Sequence, residues 1–209
     1  MVSYDEYLKN PCGSLSLPYW KSQTLSLPAN MRIVHDSNFF PELLNEYTDE
    51  RYFRLYHNLK DVENTCPEAI ELITASQNET DNIVSIINNS YYDIHVDSAQ
   101  MESYMQTPVY CKELWLLAVE KRTGKYIGSG IADYDPEIKE LILEWIQVLP
   151  PYRGKGIGQA LVNELLLRMK NTAGFATVSG KVDNPTNPEA LYRRCGFTGD
   201  DIWHILQRK

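Results

Sequence analysis

The stretch LEWIQVLPPYRGKGIGQALVNELL, residues 143–166, constrains the fold of this chain most. An apolar run of β character meets Pro150 and Pro151. Glycines follow at 154, 156 and 158, and a helix-periodic run starts at once. The prolines have no N–H to give a strand ladder, so they end one and turn the chain. The first turn of a helix leaves backbone N–H groups unpaired at the positive end of the helix dipole. Glycines let an anion reach that backbone without a Cβ in the way, and Arg153 and Lys155 add positive charge beside it. The pattern predicts a phosphate-binding turn; its plain alternative is a tight turn carrying two solvated charges. It is not a P-loop, because no lysine followed by Ser or Thr comes after the glycines. Gly154-Lys155-Gly156-Ile157-Gly158 is also not the G-x-G-x-x-G of dinucleotide folds.

The rest of the chain frames that turn. The 209 residues are 43% hydrophobic and 23% charged, which suits one globular domain, or one domain with an extension. No apolar run approaches the ~18 residues of a membrane span, and the first residues lack the pattern of a secretory signal. The net charge of −8 disfavours a nucleic-acid partner. Cys12, Cys66, Cys111 and Cys195 are far apart with no C-x-x-C. That spacing predicts reduced thiols in a cytoplasmic protein and no metal site.

Residues 1–49 read as an extension packed on the body, ahead of a main domain over 50–209. The first thirty residues look irregular but too apolar for a loose tail. Strands are predicted over 31–39 and 51–59, with a helical turn between them. Pro67 is expected to open a helix with Ala69, Ile70, Ile73 and Thr74 on one face. A second helix over TDNIVSIINNSY is expected to take Thr80 or Asp81 as its cap. DIHVDSAQMESYMQTPVYCKE, residues 93–113, reads as mixed helix and loop. Strands follow at 114–120 and 125–134 around the turn KRTG, then at 140–148 and 175–182. The helix after the glycines buries Ile157, Ala160, Leu161, Leu165 and Met169. A short helix ends at Gly196 as its C′ residue, and DIWHILQR forms a last strand.

VLPPYRGKGIG resembles the acetyl-CoA signature of the GNAT superfamily of N-acetyltransferases, [QR]-x-x-G-x-[GA], here Arg153, Gly156 and Gly158. A second segment, DNPTNPEALYRRCGF, is similar to the family's L-Y-x-x-x-G-F ending at Leu191, Tyr192, Gly196 and Phe197. The resemblance implies an α/β (α+β) mixed sheet whose central strands splay apart to admit acetyl-CoA. Backbone N–H groups of Gly154, Lys155, Gly156, Ile157, Gly158 and Gln159 would hold the pyrophosphate, with Arg153 assisting. Ile146, Gln147 and Val148 would pair with pantetheine, and the Val148 N–H would polarise the thioester carbonyl. The family's usual Asn falls on Pro185 here. Asn184 and Asn187 flank it, and Asn187 is preferred, although it suits an ordinary N-cap equally.

The implied reaction is direct attack of a primary amine on acetyl-CoA, without a metal or an acyl-enzyme. Tyr192 falls on the family's acid position; its plain alternative is a core tyrosine. Glu144 is the base candidate. Period-two alternation places it with Ile142, Ile146 and Val148, and a carboxylate on an apolar strand face needs a partner or a shifted pKa. A structural ion pair is the alternative. Asp133 is a weaker rival. The acceptor is a small-molecule or peptide amine, and residues 1–49 offer a possible homodimer contact. A non-catalytic acyl-CoA sensor of the same fold is the alternative function.

Overall fold

The computed structural model describes residues 2–91 and 94–209. The chain has a mixed α/β fold that divides into two compact units, Met1–His57 with Thr177–Lys209, and Asn58–Ala176.

The first unit opens with three short helices, α1 (Tyr4–Lys9), α2 (Pro11–Ser14) and α3 (Tyr19–Thr24). The extension is thus more ordered than its prolines suggest, and the local reasons are visible in the sequence. Ser3 and Glu6 form a reciprocal capping box on α1, and Asn10 caps α2 with Pro11 at its first turn. Strands β1 (Met31–His35) and β2 (Tyr47–His57) follow, joined through the expected helical turn at Pro41–Asn45. The chain returns to this unit with most of β7 (Phe175–Lys181), then α7 (Pro188–Arg194) and β8 (Thr198–Arg208). The strand order is β1-β8-β2-β7. β8 pairs antiparallel with β1, Met31 opposite Gln207, and with β2, Tyr47 opposite Arg208.

A buried arginine fastens the N-terminal helices to these strands. Arg54 of β2 is 1% exposed. It donates to the Tyr7 hydroxyl at 2.8 Å, the Ser179 hydroxyl at 3.1 Å and the Thr177 hydroxyl at 3.3 Å. From β8, the Trp203 indole N–H donates to the Cys12 carbonyl at 2.8 Å. A buried charge needs this density of partners to offset its lost hydration.

The second unit contains β3 (Ile70–Thr74), α4 (Thr80–Asn88), α5 (Ser98–Tyr104), β4 (Trp115–Glu120), β5 (Lys125–Asp135), β6 (Glu140–Val148) and α6 (Ile157–Met169). Its strands run in the order β6-β5-β4-β3, each antiparallel to its neighbour. The KRTG turn closes the β4–β5 hairpin as expected, and the mixed stretch resolves around α5, with its first residue, Asp93, outside the described residues.

Two expectations are overturned. Residues 70–74 form a strand rather than a helix, pairing along β4 from Ile70 opposite Glu120 to Thr74 opposite Leu116. Ile-Glu-Leu-Ile-Thr fits either period over so short a run. The available strand partner and the β-branched content decide for the sheet. The N-cap of α4 is Glu79, with no side-chain cap, instead of Thr80 or Asp81. A 3₁₀ turn, Gln77–Glu79, leads into that helix and holds the capping box between Ser76 and Glu79.

The sheet of this unit is covered on both faces. Gly128 and Gly130 let α6 approach closely: a Cβ on Gly130 would sit 3.3 Å from the Leu161 side chain. On the other face, Trp115, Leu117 and Ile131 pack with Ile83, Ile86 and Ile87 of α4 and Met101 of α5. The five apolar residues expected along α6 are all buried.

Candidate active site

The glycine turn adopts the conformation its composition demands. Gly154 has φ +75° and Gly156 has φ +79°, in the left-handed region that costs other residues most. Gly156 is the N-cap of α6 and contributes no side chain. The first intrahelical bond is Ala160 N–H to the Gly156 carbonyl, at 3.0 Å. The N–H groups of Ile157, Gly158 and Gln159 therefore have no helical acceptor. Among the described residues, no atom lies within 4 Å of the place a Gly154 Cβ would take. Lys155 is exposed, its ammonium 5.1 Å from the Tyr152 ring centre. Unpaired N–H groups at the start of a thirteen-residue helix are chemically suited to an anion.

β6 runs into that turn, and its register decides what it presents. Leu149 N–H donates to the Ile127 carbonyl at 2.9 Å, and Val148 lies opposite Gly128. Val148 is thus a non-hydrogen-bonded partner of β5, and its N–H and C=O point away from that strand. The Val148 carbonyl is taken by Arg153 Nε at 3.0 Å. The same guanidinium reaches the Ser90 carbonyl at 2.8 Å through Nη2. Arg153 therefore spends two donors on the backbone, a role its place in the motif does not reveal.

A β-bulge interrupts the alternation expected around Glu144. Trp145 lies opposite Ile131 and Leu143 opposite Ala132, so Glu144 is the extra residue. Beyond the bulge the faces exchange. Leu143 falls in with Ile146 and Val148 on the α6 side, whereas Ile142 joins Trp145 and Gln147 on the α4 side. Ile142 does not share a face with Ile146 and Val148, and the bulge rather than alternation sets the direction of Glu144. Gln147 is buried at 3% exposure. Its side-chain oxygen accepts from Ser129 at 2.8 Å, while its Nε2 has no acceptor among the described residues.

Tyr192 and Asn187 lie on α7 in the other unit. Tyr192 is 7% exposed, with ring centres 5.8 Å from Phe197 and 6.2 Å from Phe53. Asn187, at φ +47°, is the N-cap of α7, accepting from Ala190 N–H. Asn184 accepts from Thr186 N–H at 2.9 Å. Gly196 takes the expected C′ place, with φ +92°. Arg193 is held by Glu189 and the Gly199 carbonyl.

Sequence reasoning missed a cavity of about 640 Å³ beside the turn, lined by Asn82, Ser85, Asn89, Tyr126, Leu149 and Pro150 among others. Near it, the Tyr126 hydroxyl donates to Glu79 at 2.6 Å. That bond raises the phenol's pKa. The Ser76 backbone N–H, then Tyr126, lower that of Glu79. The clue in the sequence was the polar i, i+3, i+7 spacing of Asn82, Ser85 and Asn89 along α4 and its C-cap. Among the described residues, no three His, Cys, Asp or Glu side chains gather as metal ligands, and no helix is long and apolar enough to cross a membrane.

Residues 112–199 match the family model described as an acetyltransferase (GNAT) domain. Solved structures share the fold. A GCN5-related N-acetyltransferase from Sphaerobacter thermophilus aligns with TM-score 0.72 and 19% identity, over 87% of this chain and 61% of that one. A GNAT-family acetyltransferase from Colwellia psychrerythraea aligns with TM-score 0.64 and 15% identity, over 91% and 69%. A functionally unknown conserved protein from Staphylococcus epidermidis aligns with TM-score 0.64 and 14% identity, over 100% and 82%. This chain thus spans about three-fifths of the Sphaerobacter protein. No curated protein matches the sequence.

Proposed function

We propose that this chain, whose residues 112–199 match a GNAT acetyltransferase domain, is an enzyme that transfers the acetyl group of acetyl-CoA to a primary amine by direct attack. One observation carries this reading: the uncapped start of α6, with Gly154 and Gly156 left-handed, directly follows a strand whose last N–H points away from its neighbour. Acetyl-CoA supplies a pyrophosphate for the first feature and an activated thioester for the second.

In this reading the backbone N–H groups from Gly154 to Gln159 hold the pyrophosphate, and exposed Lys155 adds charge. Ile146 to Val148 align the pantetheine arm, and the Val148 N–H stabilises the developing oxyanion. Glu144, singled out by the bulge, takes the proton that the acceptor ammonium must lose. Tyr192 returns one to the leaving thiolate. Asn187 contributes its amide beside the cofactor arm. The acceptor is a small-molecule or peptide amine, and the catalytic domain is 50–209 with 1–49 as its extension. Cys12, Cys66, Cys111 and Cys195 form no disulfide with one another, which supports a reduced, cytoplasmic setting.

Free thiol released from acetyl-CoA, measured with a panel of small and peptide amines, tests the reading. Amine-dependent release is expected. CoA binding with no release across the panel would favour a non-catalytic sensor instead.

A further inference from the structure

We infer that Arg153 is a positioning residue that ties the chain after α4 to the turn before α6, so that both respond to a ligand as one element. Its guanidinium is fixed at two points. Nε donates to the Val148 carbonyl at 3.0 Å, and Nη2 donates to the Ser90 carbonyl at 2.8 Å. Two donors on one rigid plane fix the orientation of both carbonyls, which a lysine ammonium cannot reproduce. The first bond clamps the end of β6 to the turn. The second crosses 63 residues of sequence to reach a buried residue just beyond α4.

The tie continues past Ser90. Its neighbour Tyr91 stands edge-on to Trp145, with ring centres 6.4 Å apart and planes at 75°. Trp145 sits on β6 next to the Glu144 bulge, three residues before Val148. A closed circuit results: Arg153 to Ser90, Tyr91 to Trp145, and along β6 to Val148 and back to Arg153. A shift of the turn drags Ser90 and re-angles Tyr91 on Trp145. A solvated arginine serving the turn by charge alone would have no such linkage. The nature of the ligand rests on the acetyl-CoA reading, whereas the tie itself does not.

Arg153→Lys and Arg153→Met test it, with melting curves confirming that each variant folds. Trp145 emission is isolated by difference from Trp145→Phe, and amide hydrogen exchange is followed at residues 89–91. CoA binding is measured by calorimetry. Without ligand, both variants should exchange about tenfold faster at 89–91 and shift the Trp145 emission, and lysine should not rescue. CoA bound to either variant should no longer perturb Trp145. Unchanged exchange and emission in Arg153→Met would overturn the tie. So would rescue by lysine. If the wild-type protein binds no CoA, the acetyl-CoA reading fails, and the ligand-free measurements still decide whether the tie exists.

Discussion

Replacing Gly156 with alanine isolates the backbone conformation on which the site depends. At φ +79° an L-residue pays a steric cost of about 1–2 kcal/mol. The new Cβ would lie 3.7 Å from Pro67 Cγ, an ordinary contact, so packing adds nothing. Alanine also narrows the unfolded ensemble, which returns about 0.4–1 kcal/mol. The net destabilisation should be about 1 kcal/mol, a fall in melting temperature of about 2–4 °C for a chain of this size. Gly154→Ala makes the comparison sharper. Its φ is +75° and its Cβ would meet no atom within 4 Å, so its cost should match that of Gly156→Ala despite different surroundings. Asparagine tolerates this region, so Gly156→Asn should recover part of the loss. Differential scanning calorimetry of the three variants is the assay. Wild-type melting in both alanine variants, or equal losses for alanine and asparagine, would refute the left-handed geometry.

Three further perturbations follow from the same structure. Tyr192→Phe should lower kcat by about 10²–10⁴-fold with little change in acetyl-CoA KM, as loss of a general acid requires; steady-state kinetics with unchanged kcat would return Tyr192 to a packing role. Arg54→Ala removes the buried hub between Tyr7, Thr177 and Ser179, at a cost of about 3 kcal/mol from the donors and acceptors left unpaired. Limited proteolysis should then cut within residues 2–14, and a variant as resistant as wild type would count against the hub. Burial, opposed in part by a bond to the Cys195 backbone, lowers the His57 pKa below its usual value near 6.5. The unfolded chain therefore binds a proton that the folded chain refuses. Stability should fall as pH drops below about 6.5, until the folded-state value is reached. His57→Gln should flatten that dependence in urea titrations, and an unchanged slope would reject the assignment.

Features written in local spacing were legible before the structure. The glycine turn, the α6 stripe, the β4–β5 hairpin and the Gly196 C′ position each depend on residues within a few places of one another. What escaped depends on distant partners. Residues 70–74 suit helix and strand alike, and β4, more than forty residues on, decides between them. The bulge at Glu144 is a property of its pairing with β5, so strict alternation assigned Ile142 to the wrong face. The backbone bonds of Arg153 escaped because nothing in its motif points to Ser90. The N-terminal helices lie between. Their caps at Ser3 and Asn10 are local and readable, while Arg54, the reason they stay docked, is not.

Isothermal titration calorimetry tests most directly whether the turn from Gly154 to Gln159 binds acetyl-CoA. Acetyl-CoA and CoA should each bind once per chain, ATP should bind far more weakly, and Gly156→Glu should abolish binding by placing bulk and like charge in the turn. Tight ATP binding without CoA binding, or wild-type CoA affinity in Gly156→Glu, would contradict the account.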